Sequence, residues 1–467
     1  MRLTLSAMLF LIAGCLQLQA QQDSLVLDFE AFLTRVRQYH PVARQARLVA
    51  GAGEAQVQES RGGFDPKLEL DYSRKEFQGS TYYDRLNATF KIPTWYGVEF
   101  KGQFEQNEGD YLNPAETVPA DGLYSAGVSV SLARGLWANE RMATLRKARY
   151  FEQQSQADRD LMINQILFEA SETYFNWLQA YRDEQVYGRF LENAELRLQG
   201  IRQSARAGEL AAIDTVEAKI AYENRALSLE QARVRLRRAL LDLSNFLWTE
   251  GDVPLELVET VHPDTVPAVA SGLRLGEYGA DSLDLAEHPK LRSLDYKIRG
   301  LEVEKRLKVN QLLPEINLEY NFLTETPDRI ASFETQQYKG GLSFRMPLFL
   351  RKERGALKMA QFKLQDARLE RDNARLSIRN KVSAIRYELA SFERQNDLIG
   401  AMVANYERLL QAEDRKFSYG ESSLFLINSR ERALIDARLK ANEVQNKYLM
   451  AQAKLFQVLA IQPDFTP

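Results

Sequence analysis

The chain is poor in the residues that build most catalytic and metal sites. Its 467 residues include one Cys, Cys15, and three His. That count excludes a disulfide framework and any zinc site built from Cys and His. Neither sign of charge dominates: 61 Lys and Arg stand against 64 Asp and Glu, a formal charge of −3. No local stretch is basic enough to grip a phosphate backbone, so nucleic acid is not an expected partner. Beyond the N-terminal segment there is no apolar run of about 18 residues, the minimum for a membrane-spanning helix. GxSxG, a glycine loop for phosphate, and a carboxylate pair with a His partner are all missing, which reads as no enzyme and no cofactor. Proline is also absent over two long stretches, between Pro119 and Pro254 and between Pro347 and Pro463.

Those proline-free stretches are rich in Ala, Leu, Glu, Gln, Arg and Lys, the strong helix formers. In the second, Leu357, Leu364, Ile378, Ile385, Phe392 and Ile399 share one seven-residue register, interrupted at Arg371, and Ala360, Ala367 and Ala374 run beside it. This is the pattern of a coiled-coil seam. A helix over 139–204 would be roughly 100 Å long at 1.5 Å per residue. Each stretch is broken once, at Gly208 in "RAGELAAIDTVEA" and at Gly420 in "FSYGESSLFLINS". A glycine followed by Glu and small or polar residues suits a helix stop and restart, so each stretch reads as an antiparallel hairpin.

The rest of the chain repeats itself. His40-Pro41 and His288-Pro289 each open a helical pattern, and each is followed 25 residues later by a second proline, Pro66 or Pro314. Each second proline opens a run of alternating polar and apolar residues. Leu68, Leu70 and Tyr72 oppose Lys67, Glu69, Asp71 and Ser73; Ile316, Leu318, Tyr320 and Phe322 oppose Glu315, Asn317, Glu319 and Asn321. Leu342, Phe344 and Met346 form a return run in the second half. Three further runs follow in the first half: Leu86 to Ile92, Val98 to Phe104 and Tyr124 to Leu132. Period-two alternation with a wholly apolar face means one side meets something oily. No separate apolar layer exists to cover it, so lipid is the economical partner. The count is six strands, or four if "GDYLNPAETVPADG" belongs to an irregular insertion in one long hairpin.

The segment order is then as follows: an export signal over 1–20 (Arg2, the apolar run Leu3 to Ile12, then small residues); a first repeat over 21–248 with a helix at 41–62, strands at about 67–132 and a hairpin at 138–248; a linker at 249–287; a second repeat over 288–460 with a helix at 289–312, strands at about 315–347 and a hairpin at 352–460; and a tail at 461–467. Two processing routes stay open: cleavage after Ala20, or a lipobox-like Ile12-Ala13-Gly14-Cys15 that leaves a lipidated Cys15. The fold class is an α+β membrane protein with internal tandem duplication. A few strands with open edges cannot stand alone in lipid, because backbone groups would be left unsatisfied, so several protomers must pool them.

In this combination of His-Pro passages, proline-free hairpins and two glycine turns, nearly the whole mature chain resembles the TolC-type outer-membrane efflux proteins. The resemblance implies a homotrimer in the outer membrane. Its strands, about 18 if each protomer gives six, join in one transmembrane β-barrel, and coiled-coil hairpins form a periplasmic α-barrel. Passive export follows, with cargo handed over by a periplasmic adaptor (membrane fusion) protein and an inner-membrane pump of the RND or ABC type. The 249–287 linker would belong to the family's equatorial belt. The resemblance also makes the turns at Gly208, Glu209, Gly420 and Glu421 candidates for adaptor docking. It puts the channel gate near the second turn, with Leu426, Ser429 and Phe417 as candidates. The family often carries acidic residues six and nine positions after that glycine; here Leu426 and Ser429 stand there, while Asp214 and Glu217 hold the corresponding first-half positions. A second reading needs no gate: Leu424, Leu426 and Ile427 simply pack the turn. The rival for the whole chain is an extracytoplasmic coiled-coil scaffold that never enters a membrane.

Overall fold

The computed structural model describes residues 26–135, 138–273, 285–327 and 334–461. The signal segment, Cys15, residues 274–284 of the linker and most of the tail lie outside these. In chain order the elements are β1 (Val26–Leu27), α1 (Phe29–Tyr39), α2 (Pro41–Arg61), β2 (Lys67–Phe77), β3 (Ser80–Pro93), β4 (Val98–Glu108), β5 (Leu123–Ala133), α3 (Glu140–Arg206), α4 (Ala212–Ser244), β6 (His262–Pro263), α5 (Val266–Gly272), α6 (Pro289–Asn310), β7 (Glu315–Thr324), β8 (Tyr338–Arg345), α7 (Arg351–Ser418) and α8 (Leu424–Leu459). They divide into two compact units, and each unit takes segments from both repeats.

Both repeats begin their helices in the same way. The His40 and His288 imidazole Nδ1 atoms accept from the backbone N–H groups of Val42 and Lys290, at 3.2 and 3.1 Å. Each satisfies a donor that the helix start leaves orphaned, and the following proline has none to satisfy. Burial holds the His40 pKa below its ordinary value, which favours the neutral ring that can accept. The repeated His-Pro pair is a helix cap.

The strand unit (residues 44–163 and 282–381) carries one antiparallel sheet in the order β2-β3-β4-β5-β7-β8. Six strands are present, so the first repeat supplies four and the 109–122 segment is a loop between β4 and β5. The β2–β3 hairpin turns at Gln78 and Gly79, both at positive φ (53° and 80°), the conformation a two-residue hairpin of this twist requires. The register joins like with like. Leu68 pairs with Phe90, Phe100 with Val128, Val130 with Leu318, and Leu318 with Leu342. With Ile92 opposite Phe100, one apolar band crosses all six strands.

The helices of the same unit pack on one another. Val57, Leu145 and Ala148 form a buried cluster with Phe64 and Trp95 against it. Ala360, Leu364, Ala367 and Ile378 of the expected seam are buried, and the interrupting Arg371 pairs with Asp295 at 3.3 Å. Gly53 marks a close helix approach: a Cβ there would stand 2.9 Å from the Cα of Glu152.

The helical unit (residues 1–43, 164–281 and 382–467) contains a helix that the periodicity argument did not anticipate, α1. Asp28 caps it, accepting from the Ala31 N–H at 2.8 Å, and Phe29, Phe32, Leu33 and Val36 are fully buried. Phe29 packs on Tyr174 and Phe175 with ring centroids 5.0 and 5.3 Å apart. Tyr174 ties this region together: its hydroxyl donates to the Leu27 carbonyl at 2.7 Å and accepts from the Asp264 N–H at 2.9 Å. Burial raises its pKa, which keeps the phenol a donor. Beside these bonds β1 and β6 pair in parallel, Val26 with His262.

Candidate functional site

Two regions concentrate chemistry, and each follows from its local fold. The first is the sheet. Because side chains alternate, the register that aligns the apolar residues also aligns the charged ones on the other face. There Lys101 reaches Glu319 at 3.1 Å, Lys339 reaches Glu105 at 3.3 Å, and Lys91 pairs with Glu69. Ser131 donates to Asn317 at 2.9 Å. The polar residues Glu69, Asp71, Glu315 and Glu319 thus share one face, held by cross-strand ion pairs. The opposite face is bare hydrocarbon: Leu68, Leu70, Phe100, Leu342 and Phe344 are all exposed, Leu342 at 71%. Aromatic rings crowd towards one end of it, with Tyr320 stacked on Tyr338 at 5.1 Å and Phe104 beside Tyr124 at 4.7 Å. Past Tyr72 the same side of β2 turns charged, and Arg74 pairs with Glu76 at 3.2 Å and with Asp84 at 3.6 Å. The apolar band has an edge.

The second region is the pair of hairpin turns in the helical unit. Gly208 and Gly420 stand at φ +79° and +77°, and the hydrogen bonds around them are the same. The Gly208 and Glu209 N–H groups donate to Ala205 and Ser204; those of Gly420 and Glu421 donate to Phe417 and Lys416. This is the Schellman closure, in which a residue at positive φ lets two N–H groups turn back on the last helical carbonyls. Glu209 and Glu421 stand exposed on the turns. The turns share one apolar cluster, Leu198, Ile201, Ala218 and Leu424, and Phe417 packs against it. Asn428 donates to Glu217 at 3.2 Å, which sets the two turns at one level.

The gate candidates separate here. Phe417 packs, half-buried, against the cluster. Leu424 and Ile427 are buried, while Leu426 and Ser429 point outward with Phe425. Asp214 and Glu217 are half-buried. On the other side of the turn, Glu413 accepts from the Ser422 hydroxyl at 2.6 Å, and that bond lowers its pKa. Burial raises the pKa of its neighbour Asp414.

Sequence reasoning missed a charge cluster above the turns. Glu431 of α8 has no exposed surface. Its carboxylate accepts from Arg197 of α3 at 3.1 Å and from Arg225 of α4 at 3.2 Å. The signal was there to read: Arg225 interrupts a seven-residue register that runs through buried Ala218 and Ala232. A buried arginine needs a carboxylate, but periodicity cannot say which one.

Comparison with known proteins follows the same lines. Residues 282–460 match the family model described as Outer membrane efflux protein. No curated protein matches. Among solved structures, the Campylobacter jejuni CmeC outer membrane channel is similar at TM-score 0.65 and 14% identity, covering 92% of this chain and 85% of that one. The Vibrio cholerae outer membrane protein VceC is similar at TM-score 0.64 and 11% identity, covering 92% and 96%. The open state of the Neisseria gonorrhoeae MtrE outer membrane channel gives TM-score 0.63 and 14% identity, covering 93% and 89%. At these identities the solved structures carry the fold, and the family match carries the resemblance read from the sequence.

Proposed function

We propose, from the premise that this chain is a TolC-type outer-membrane efflux protein, that it is the exit duct of a tripartite export system and works as a homotrimer. One observation carries the reading: a six-stranded sheet with an apolar band on one face, charges on the other, and the outer edges of β2 and β8 unpaired among the described residues. A soluble scaffold would have to leave that apolar face in water. In lipid the face is favourable, but the open edges are not, since each unsatisfied backbone group costs several kcal/mol. Copies joined edge to edge remove the cost. Three copies of six strands make 18, and barrels of roughly 16–18 strands leave an aqueous channel. From Tyr124 to Leu132 the apolar face runs about 26 Å along β5 at ~3.3 Å per residue, comparable with the roughly 25 Å apolar band of outer-membrane barrels.

In this reading the ion-paired face lines the lumen, and the helical hairpins form the periplasmic duct. The turns at Gly208–Glu209 and Gly420–Glu421 receive a periplasmic adaptor, which couples the duct to an inner-membrane pump. Leu426, exposed beside Ser429 on the second turn, is the gate residue: three copies around an axis would form an apolar ring that excludes hydrated ions. The channel does no chemistry on its cargo. The test is fractionation followed by reconstitution. The protein should sit in the outer membrane, leave it only in detergent as a heat-dissociable trimer, and conduct ions in a planar bilayer. A protein soluble without detergent ends this reading in favour of the scaffold.

A further inference from the structure

The 109–122 loop between β4 and β5 is tied down, and its ties lie on the charged face of the sheet. Arg85 of β3 and Asn107 of β4 stand opposite each other in the register. By alternation both share the face of Glu69 and Lys101, and Arg85 bonds there to Ser73 of β2 at 3.2 Å. Glu116 of the loop lies over the pair. Its carboxylate accepts from Arg85 at 3.0 and 3.1 Å, and its backbone carbonyl accepts from the Asn107 amide at 2.9 Å. Covered in this way, Asn107 is only 9% exposed.

Both ends of the loop are fixed as well. The N–H groups of Asp110 and Tyr111 donate to the Thr81 and Tyr82 carbonyls at 3.0 and 3.1 Å, and the Tyr111 ring lies 4.5 Å from that of Tyr82. Asn113 caps the turn that follows, accepting from the Ala115 N–H at 3.1 Å. On the return, the Gly122 N–H donates to the Pro119 carbonyl at 2.9 Å, and the Phe104 ring leaves no room for a Cβ at Gly122. All this happens at the end of the sheet away from the helices. At the other end, Trp95 in the β3–β4 turn stacks on Phe64, and its carbonyl accepts from Asn139 just before α3.

A loop at a strand end ordinarily runs out into solvent. This one folds back over the polar face and is held there by a charge-assisted pair, the stronger kind of hydrogen bond. We infer that residues 109–122 form a strap inside the channel, and that three straps narrow its mouth at the end remote from the helices. The inference rests on the closed barrel of the proposed function and says which residues limit the size of what leaves it. A barrel of 18 strands at ~4.8 Å spacing and ~40° tilt has a backbone radius of about 18 Å. The strap lies over β3 and β4 of each copy, so the three stand a third of a turn apart. Each takes at least one chain thickness, about 5 Å, from that radius.

Planar-bilayer recording of the full-length protein tests it, with a thiol-reactive polyethylene glycol as the probe. Ala115 is exposed on the strap; Glu108 is exposed at the end of β4, in the register of the apolar face. Complete modification of Ala115→Cys, followed by gel shift, should cut the current by about half or more, and modification of Glu108→Cys should leave it unchanged. Neutral polymers added on the strand side alone read the mouth itself. Replacing 112–120 by two glycines should raise the mass of polymer that enters by about twofold. Full current after modification of Ala115→Cys, equal block by both labels, or a polymer cut-off unmoved by the shorter loop would each overturn the strap. Unmodified protein that never conducts would instead sink the channel on which the inference stands.

Discussion

The strand assignment makes a sharp contrast between two neighbouring residues of β7. Leu318 lies in the middle of the strand on the apolar face, between Val130 and Leu342, and is 45% exposed. Asn317 points the other way, between Ser131 and Ser343, and it donates to Glu315 at 3.2 Å. Leu318→Arg puts a guanidinium into hydrocarbon, which costs about 2–4 kcal/mol near mid-membrane, or roughly 6–12 kcal/mol over three copies. A folded domain is stable by only about 5–15 kcal/mol, so most trimer should be lost. Asn317→Arg gives up the bond from Ser131, worth about 1 kcal/mol, and places its charge in a lumen where Glu315 and Glu319 lie two residues to either side on the same face. Quantitative blotting of the heat-dissociable trimer in outer membranes reads both variants. Trimer should collapse in the first and stay near the parental level in the second. Equal losses in the two would refute the facing of the sheet.

The remaining predictions concern the helical unit. Gly420→Val should abolish export while leaving trimers in the membrane, because a β-branched residue at positive φ costs about 1–2 kcal/mol and reshapes the exposed turn; normal export of a test cargo would remove the turn as a docking site. Leu426→Asp should raise planar-bilayer conductance and cation preference, since three like charges in a narrow ring repel and attract cations; unchanged currents would put the gate elsewhere. Glu431→Leu leaves two arginines facing each other without a carboxylate and should cost about 3–5 kcal/mol, whereas replacing Arg197, Arg225 and Glu431 together by apolar residues should restore most of it. Thermal unfolding of the detergent-solubilised protein measures both, and an unmoved midpoint in the single variant would deny the cluster its role.

What could be read in the sequence depended on how local the cause was. Strand faces were legible because alternation is a property of consecutive residues, and the sheet's register then follows from matching apolar with apolar. The turns were legible because positive φ is cheap only for glycine. The helix caps were legible in type, since His-Pro at a helix start has few other uses. The cluster at Glu431 was not, because its three charges come from three helices and meet only through tertiary packing. The need for Gly53 was not legible either, because it comes from Glu152 on another helix. Phe417 and Leu426 were indistinguishable as turn residues, and only the fold sets the first, half-buried, against the cluster and leaves the second more exposed.

In the function proposed above, copies of this chain pool six strands each to close a channel. An electron cryomicroscopy map of the detergent-extracted particle tests it most directly, by the number of strands counted around the symmetry axis. The expected map is a threefold particle with 18 strands in one closed ring, the charged face inward and the apolar face against detergent. A ring of 12 strands with one hairpin of the first repeat lying outside it, or a particle with no closed ring, would contradict it.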